Sequence, residues 1–96
     1  MRRIKLTVAY DGTDYCGWQI QPNGITVEEV LNKALSDLTK ETVKVIGASR
    51  TDAGVHARGN VAVFDTKSPI PPERIAYAVN ALLPDDIVVM RSEEVG

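Results

Sequence analysis

Cysteine, histidine and net positive charge are all scarce in this sequence, and each scarcity excludes a class of function. Cys16 is the only cysteine, so no disulfide forms within the chain and no cysteine-only metal site is available; a reducing, cytoplasmic setting is expected. His56 is the only histidine, which leaves no triad for zinc. Lys and Arg number 11 against 13 Asp and Glu, a net charge of −2. Tight nucleic-acid binding draws most of its affinity from phosphate neutralisation. Any RNA affinity must therefore come from a local patch or from protein beyond this chain. The opening MRRIKLTVAYDG is basic, but Thr7 and Tyr10-Asp11 interrupt its apolar run, so neither a signal peptide nor a membrane span is expected. There is no Walker loop or dinucleotide fingerprint, no internal repeat and no low-complexity tract.

What is there reads as one soluble domain. Hydrophobic residues make up 44% and charged residues 25% of 96 residues, ordinary values for a globular fold able to bury a modest core. Residues 3–10 alternate, with Ile4, Leu6, Val8 and Tyr10 on one face, and predict a half-buried strand. Residues 11–25 carry Gly12, Gly17, Pro22, Asn23 and Gly24 and predict a loop. A helix is expected at about 26–39, with Thr26 and Glu29 as a capping box and an apolar stripe of Val27, Val30, Leu31, Ala34, Leu35 and Leu38. Strands are predicted at 42–47, 60–66 and 86–91. A second helix opens at Pro71-Pro72, buries Ile75, Ala78, Val79 and Leu82, and is stopped by Pro84.

The order β-α-β-β-α-β is the split, ferredoxin-like α+β arrangement. Two right-handed crossovers predict an antiparallel sheet in the order 4-1-3-2 with both helices on one face. The topology brings the loop after the first strand, the loop after the second and the turn before the fourth to one end of the sheet.

One of those loops holds an unusual set of groups. Residues 48–59 read ASRTDAGVHARG. Asp52 is either the carboxylate of an Asx-turn or a catalytic group. Arg50, two residues away, would keep it ionised and aimed, and Gly54 would let the backbone turn tightly and leave room for a substrate. A carboxylate can attack a sugar carbon. Glycoside hydrolysis normally takes two carboxylates, whereas the loop offers one. Asp11, Asp14, Asp85 and Asp86 are possible partners at the same rim, but Asp11-Gly12 and Pro84-Asp85-Asp86 read more as turns. A single carboxylate suits a reaction whose leaving base stays bound and is used again. Arg50 and Arg58, on either side of His56, form a candidate phosphate-contacting cluster. Tyr10, Tyr15 and Trp18 can form a core cap, the preferred reading for Tyr10, and Trp18, between Gly17 and Gln19, could instead offer a face for stacking a base.

The segment Arg50-Thr51-Asp52-Ala53-Gly54-Val55-His56 resembles the catalytic motif of the TruA-type tRNA pseudouridine synthases. Tyr10-Asp11-Gly12-Thr13, Tyr15 and Gly17-Trp18-Gln19 resemble that family's opening motif, Thr26-Val27 its next segment, and Asn80, Leu83-Pro84 and Asp86-Ile87 the segment that ends its first domain. The resemblance runs in family order over nearly the whole chain. Ser49 stands where the family often has glycine.

The resemblance implies an isomerase that detaches uracil from ribose at N1, turns it and rejoins it through C5, at positions 38, 39 and 40 of the tRNA anticodon stem-loop, without metal or nucleotide cofactor. By position, Asp52 is the essential aspartate, a nucleophile toward sugar or base or a proton acceptor. Arg50 pairs with it or holds out the flipped base. Thr51 and Gly54 shape the loop, and Gln19, Trp18, His56 and Arg58 are candidate RNA contacts. Family members are more than twice this long, dimerise, and carry a second domain that supplies a uracil-packing tyrosine. This chain is thus expected to be the N-terminal domain alone, inactive by itself, with the missing C-terminal domain and tRNA as its partners. The competing readings are a non-catalytic RNA-binding module, in which Asp52 is dispensable, and a structural dimerisation domain.

Overall fold

A computed structural model describes residues 1–18, 22, 24–47 and 57–96. Its elements are β1 (Arg2–Tyr10), α1 (Val27–Thr39), β2 (Ile46–Gly47), β3 (Ala57–Thr66), α2 (Pro72–Asn80) and β4 (Ile87–Val95), with a 3-10 turn at Gly12–Asp14. The four strands form one sheet in the order β2-β3-β1-β4, antiparallel at each pairing. This is the expected order read from the other edge.

The alternation in β1 does what its sequence dictates. Ile4, Leu6, Val8 and Tyr10 are buried, and Arg3, Lys5, Thr7 and Ala9 turn to the other face. The buried set meets Ala62 and Phe64 of β3 and Ile87 and Val89 of β4, and both helices close over that same face to make one core. From α1 come Val27, Leu31, Ala34 and Leu35, and from α2 come Ile75, Ala76 and Val79. Each fully buried Leu, Ile or Val removes apolar surface worth roughly 1.5–3 kcal/mol. At the start of α1 the fully buried Thr26 accepts the Glu29 N–H through its hydroxyl (3.3 Å), which is one half of the expected capping box.

α2 has no side-chain cap of its own, because Pro71 occupies the N-cap. Ser92 of β4 instead bridges the first helical pair of α2: its hydroxyl accepts the Ala76 N–H (2.8 Å) and donates to the Pro72 carbonyl (2.6 Å). The Asn80 side chain does similar work at the other end of α2. It bonds both the N–H and the C=O of Val89 (2.8 and 2.9 Å) and so serves the outer edge of β4 as a neighbouring strand would.

Three expectations are corrected. Strand 42–47 is reduced to Ile46–Gly47, because the N–H groups of Val43 and Val45 are taken by Ser36 and Asn32 of α1 (2.9 and 2.8 Å) rather than by a ladder. β4 runs on to Val95. Its alternation breaks at Met90-Arg91, both exposed, where the register against β1 shifts between Thr7 and Val8, and that break hides the continuation. α2 ends at Asn80, so Leu82 lies beyond it and is 51% exposed; Ala78 is only half-buried, and Ala76 is buried beside Ile75 and Val79 instead. Among the described residues no helix is long and apolar enough to cross a membrane.

Candidate functional site

Asp52, Arg50, Thr51, Gly54, His56 and Gln19 lie outside the described residues. The frame that holds the two ends of the 48–56 connection is described, and it sits at one end of the sheet. Gly47 pairs with Ala62 and Ala57 pairs with Tyr10, so the connection leaves β2 part-way along β3 and returns beside the last residue of β1. Three further pieces meet there: the segment after β1, the turn before β4 and the start of β3.

The segment after β1 is tied down at each step. The Asp11 carboxylate accepts the Thr13 N–H (3.0 Å) and its hydroxyl (2.6 Å), capping the 3-10 turn. This is the turn role expected of Asp11. The Asp11 N–H donates to the Asp86 carbonyl (3.0 Å), joining the turn to the one before β4. Gly17 has φ 88°, the left-handed region that glycine enters without strain. Beyond it the backbone docks on the start of α1, with Cys16 N–H on the Ile25 carbonyl, Val27 N–H on Gly17 and Glu28 N–H on Trp18 (2.8, 3.1 and 3.0 Å).

This docking carries Trp18 inward. Its side chain is 2% exposed and its ring lies 6.0 Å from that of Tyr10, tilted by 31°. A methyl group placed at Gly47 would stand 2.3 Å from Trp18 Nε1, so the glycine is what lets the indole close under the end of β2. The expectation of a stacking face at Trp18 is therefore corrected. Tyr10, Tyr15 and Trp18 together form the core cap, and a base would have to displace Trp18 from the core to stack on it.

Arg58 is placed differently from the expectation as well. It belongs to β3 rather than to the loop. Val8 faces Asn60 and Tyr10 faces Ala57, so Arg58 and Gly59 together oppose Ala9. Two residues against one is a β-bulge, a device that re-aims side chains at the rim of a sheet. Arg58 is exposed and lines a cavity of about 420 Å³ with Ala9, Tyr10, Asp11, Asp85, Asp86 and Val88. Among the described residues the cavity thus has an apolar floor, one guanidinium and three carboxylates, a mixed lining rather than a purely basic one.

The pair that sequence reasoning missed is Tyr15 and Asp86. The Tyr15 hydroxyl donates to Asp86 Oδ1 at 2.6 Å across 71 residues of sequence. Burial of the ring, and then the hydrogen bond to the carboxylate, push the phenol well above its ordinary value, so it stays a neutral donor at any working pH. The sequence singled out both residues, Tyr15 in the opening family segment and Asp86 in the closing one, and put their loops at the same end of the sheet, but it did not pair them.

Comparison with known proteins adds a family to this geometry. A family model described as tRNA pseudouridine synthase matches residues 6–96. The tRNA pseudouridine synthase A of Ruminiclostridium cellulolyticum is 62% identical over 95 residues, covering 99% of this chain and 39% of the relative. The protein of the same name from Thermoanaerobacter sp. is 55% identical over 95 residues, with 99% and 39% covered. That of Geobacter sulfurreducens is 54% identical over 94 residues, with 98% and 38% covered. The chain thus spans 39% of the length of the first of these relatives.

Proposed function

The chain belongs to the tRNA pseudouridine synthase family, and on that premise we propose that it is the N-terminal, aspartate-bearing part of an enzyme that converts uridine to pseudouridine at positions 38, 39 and 40 of the tRNA anticodon stem-loop. The observation that carries the reading is the segment Arg50-Thr51-Asp52-Ala53-Gly54-Val55-His56, set between Gly47 and Ala57 at the end of the sheet where the cavity and Arg58 also lie.

The reaction is an isomerisation and needs no co-reactant. The N1–C1′ bond breaks, the C5–C1′ bond forms, the proton on C5 leaves and N1 gains one. A single carboxylate is enough because the base is not released to water. Asp52 attacks as the nucleophile, and Arg50 keeps it ionised and holds the target out of the stack. Flipping is required because the atoms to be joined are buried in stacked RNA. Arg58 contributes a phosphate contact from the rim. The remaining length of the relatives supplies the other wall of the cleft and the basic surface that a chain of net charge −2 lacks, and the whole enzyme works as a homodimer.

Pseudouridine formation in unmodified tRNA by the intact protein tests this. Asp52→Asn keeps the shape and removes the charge, so turnover should vanish while tRNA affinity stays nearly native. Ordinary turnover by that variant would refute the assignment. Salt-dependent RNA binding with no turnover in the native protein would favour a binding module instead. The 96-residue chain alone should fold and show no activity.

A further inference from the structure

The functional reading gives the rim its chemistry but leaves open what holds the catalytic loop in place. The Tyr15–Asp86 contact has the right connections for that task. Asp86 grips the segment after β1 twice, through its carboxylate to the Tyr15 hydroxyl (2.6 Å) and through its carbonyl to the Asp11 N–H (3.0 Å). From Tyr15 the chain runs directly to Trp18, whose indole closes against Gly47, where the 48–56 connection begins. From Asp11 it runs back to Tyr10, which pairs with Ala57, where the connection ends, and with Ile87, next to Asp86. One carboxylate is therefore linked by short, packed routes to both ends of the segment that carries Asp52.

We propose that Tyr15 and Asp86 form a clasp that positions the Asp52-bearing loop, and that both are positioning residues for the isomerisation rather than groups that touch the substrate. The inference rests on the functional reading above for its consequence in catalysis, and on the geometry alone for its mechanical part. The Tyr15 ring is buried in the core cap, so Tyr15→Phe removes only the hydroxyl and leaves the packing. Loss of the clasp lets the segment 11–18 shift against the turn before β4. Misplacement of a catalytic group by about 1 Å is enough to lower turnover by as much as 10²-fold.

The test uses the intact protein with Tyr15→Phe, Asp86→Ala and the double variant. The expected result for Tyr15→Phe is a kcat lower by about tenfold or more, with KM for tRNA and Tm close to native, since alignment is lost and binding is not. Asp86→Ala should behave alike, and the double variant should be no worse than either single one, because the two act as a unit. Amide hydrogen exchange at Gly47 and Ala57 should quicken in each variant. A native kcat in Tyr15→Phe, or effects of the two substitutions that add in full, would overturn the proposal. A native protein that makes no pseudouridine would refute the functional reading instead. Exchange then decides the clasp by itself: quicker exchange at Gly47 and Ala57 upholds it and unchanged exchange removes it.

Discussion

At the end of the sheet where β1 begins, polar side chains close on the backbone. Glu41 accepts the Thr66 hydroxyl and the Lys67 N–H (2.9 Å), Thr66 in turn accepts the Ser68 N–H (3.0 Å), and the Arg2 guanidinium donates to the carbonyls of Ser68 and Ile70. At the end where β1 finishes, the same residue types surround a cavity, with Arg58 and Asp85 exposed, the Asp11 carboxylate on the Thr13 N–H and the Asp86 carboxylate on the Tyr15 hydroxyl. One end spends its charges on finishing the fold. The other keeps them near the segment that carries Asp52. The difference teaches how to sort polar residues in a small α+β domain: a charged group tied to backbone N–H groups or to a core-cap hydroxyl, as Glu41, Asp11 and Asp86 are, finishes the fold, and an exposed one beside the bulge, as Arg58 is, is available to the site.

The largest expected effect on the fold comes from substitution at the boundary of the rim. Gly47→Ala forces its new methyl group against the Trp18 indole, and overpacking of this kind costs about 1–3 kcal/mol. Thermal unfolding of the variant should show that loss, with indole emission shifted to the red. A native Tm would mean that the indole yields freely, and the rim would then be less rigid than the contrast supposes.

Glu41→Gln sharpens the comparison from the other side. Hydrogen bonds from the Thr66 hydroxyl, and then from the Lys67 N–H, hold the Glu41 carboxyl below its ordinary value of 4.5. A carboxylate whose folded value is depressed stabilises the fold above its unfolded value, and that contribution is lost as pH falls through the folded one. Tm of the variant should therefore lie below native at neutral pH, and the gap should close in acid, below both values. A gap that persists unchanged into acid would show that the carboxylate charge is not what ties that end.

The smallest effect is expected at Arg58. Its side chain is exposed, so Arg58→Ala should leave Tm native. In the intact protein it should weaken tRNA binding modestly and lower the slope of log affinity against log salt by about one, as removal of one phosphate contact does. An unchanged slope would remove Arg58 from the RNA-facing set.

The fold was largely legible in the sequence because its core rests on local periodicity. Ile4, Leu6 and Val8 alternate, and Leu31, Ala34 and Leu35 recur at helical spacing, and each lies where that spacing puts it. The misses occur where a distant group overrides the local pattern. Val43 and Val45 read as strand, yet side chains of α1 take their N–H groups. The bulge at Met90-Arg91 breaks the alternation that would have extended β4. Trp18 offered both an inward and an outward reading, and the inward one depends on Gly47, 29 positions later. The Asp52 segment was read as chemistry from its residue types, and that reading stands as the proposal above. The Tyr15–Asp86 clasp was not, because no local pattern encodes a contact across 71 residues.

The central claim is that the two ends are divided between fold and chemistry. A paired measurement on the intact protein tests it most directly: tRNA pseudouridine formation and Tm for Asp52→Asn beside Glu41→Gln. The account predicts no product and a native Tm for Asp52→Asn, and full turnover with a lowered Tm for Glu41→Gln. Product from Asp52→Asn, or lost turnover in a folded Glu41→Gln, would contradict it.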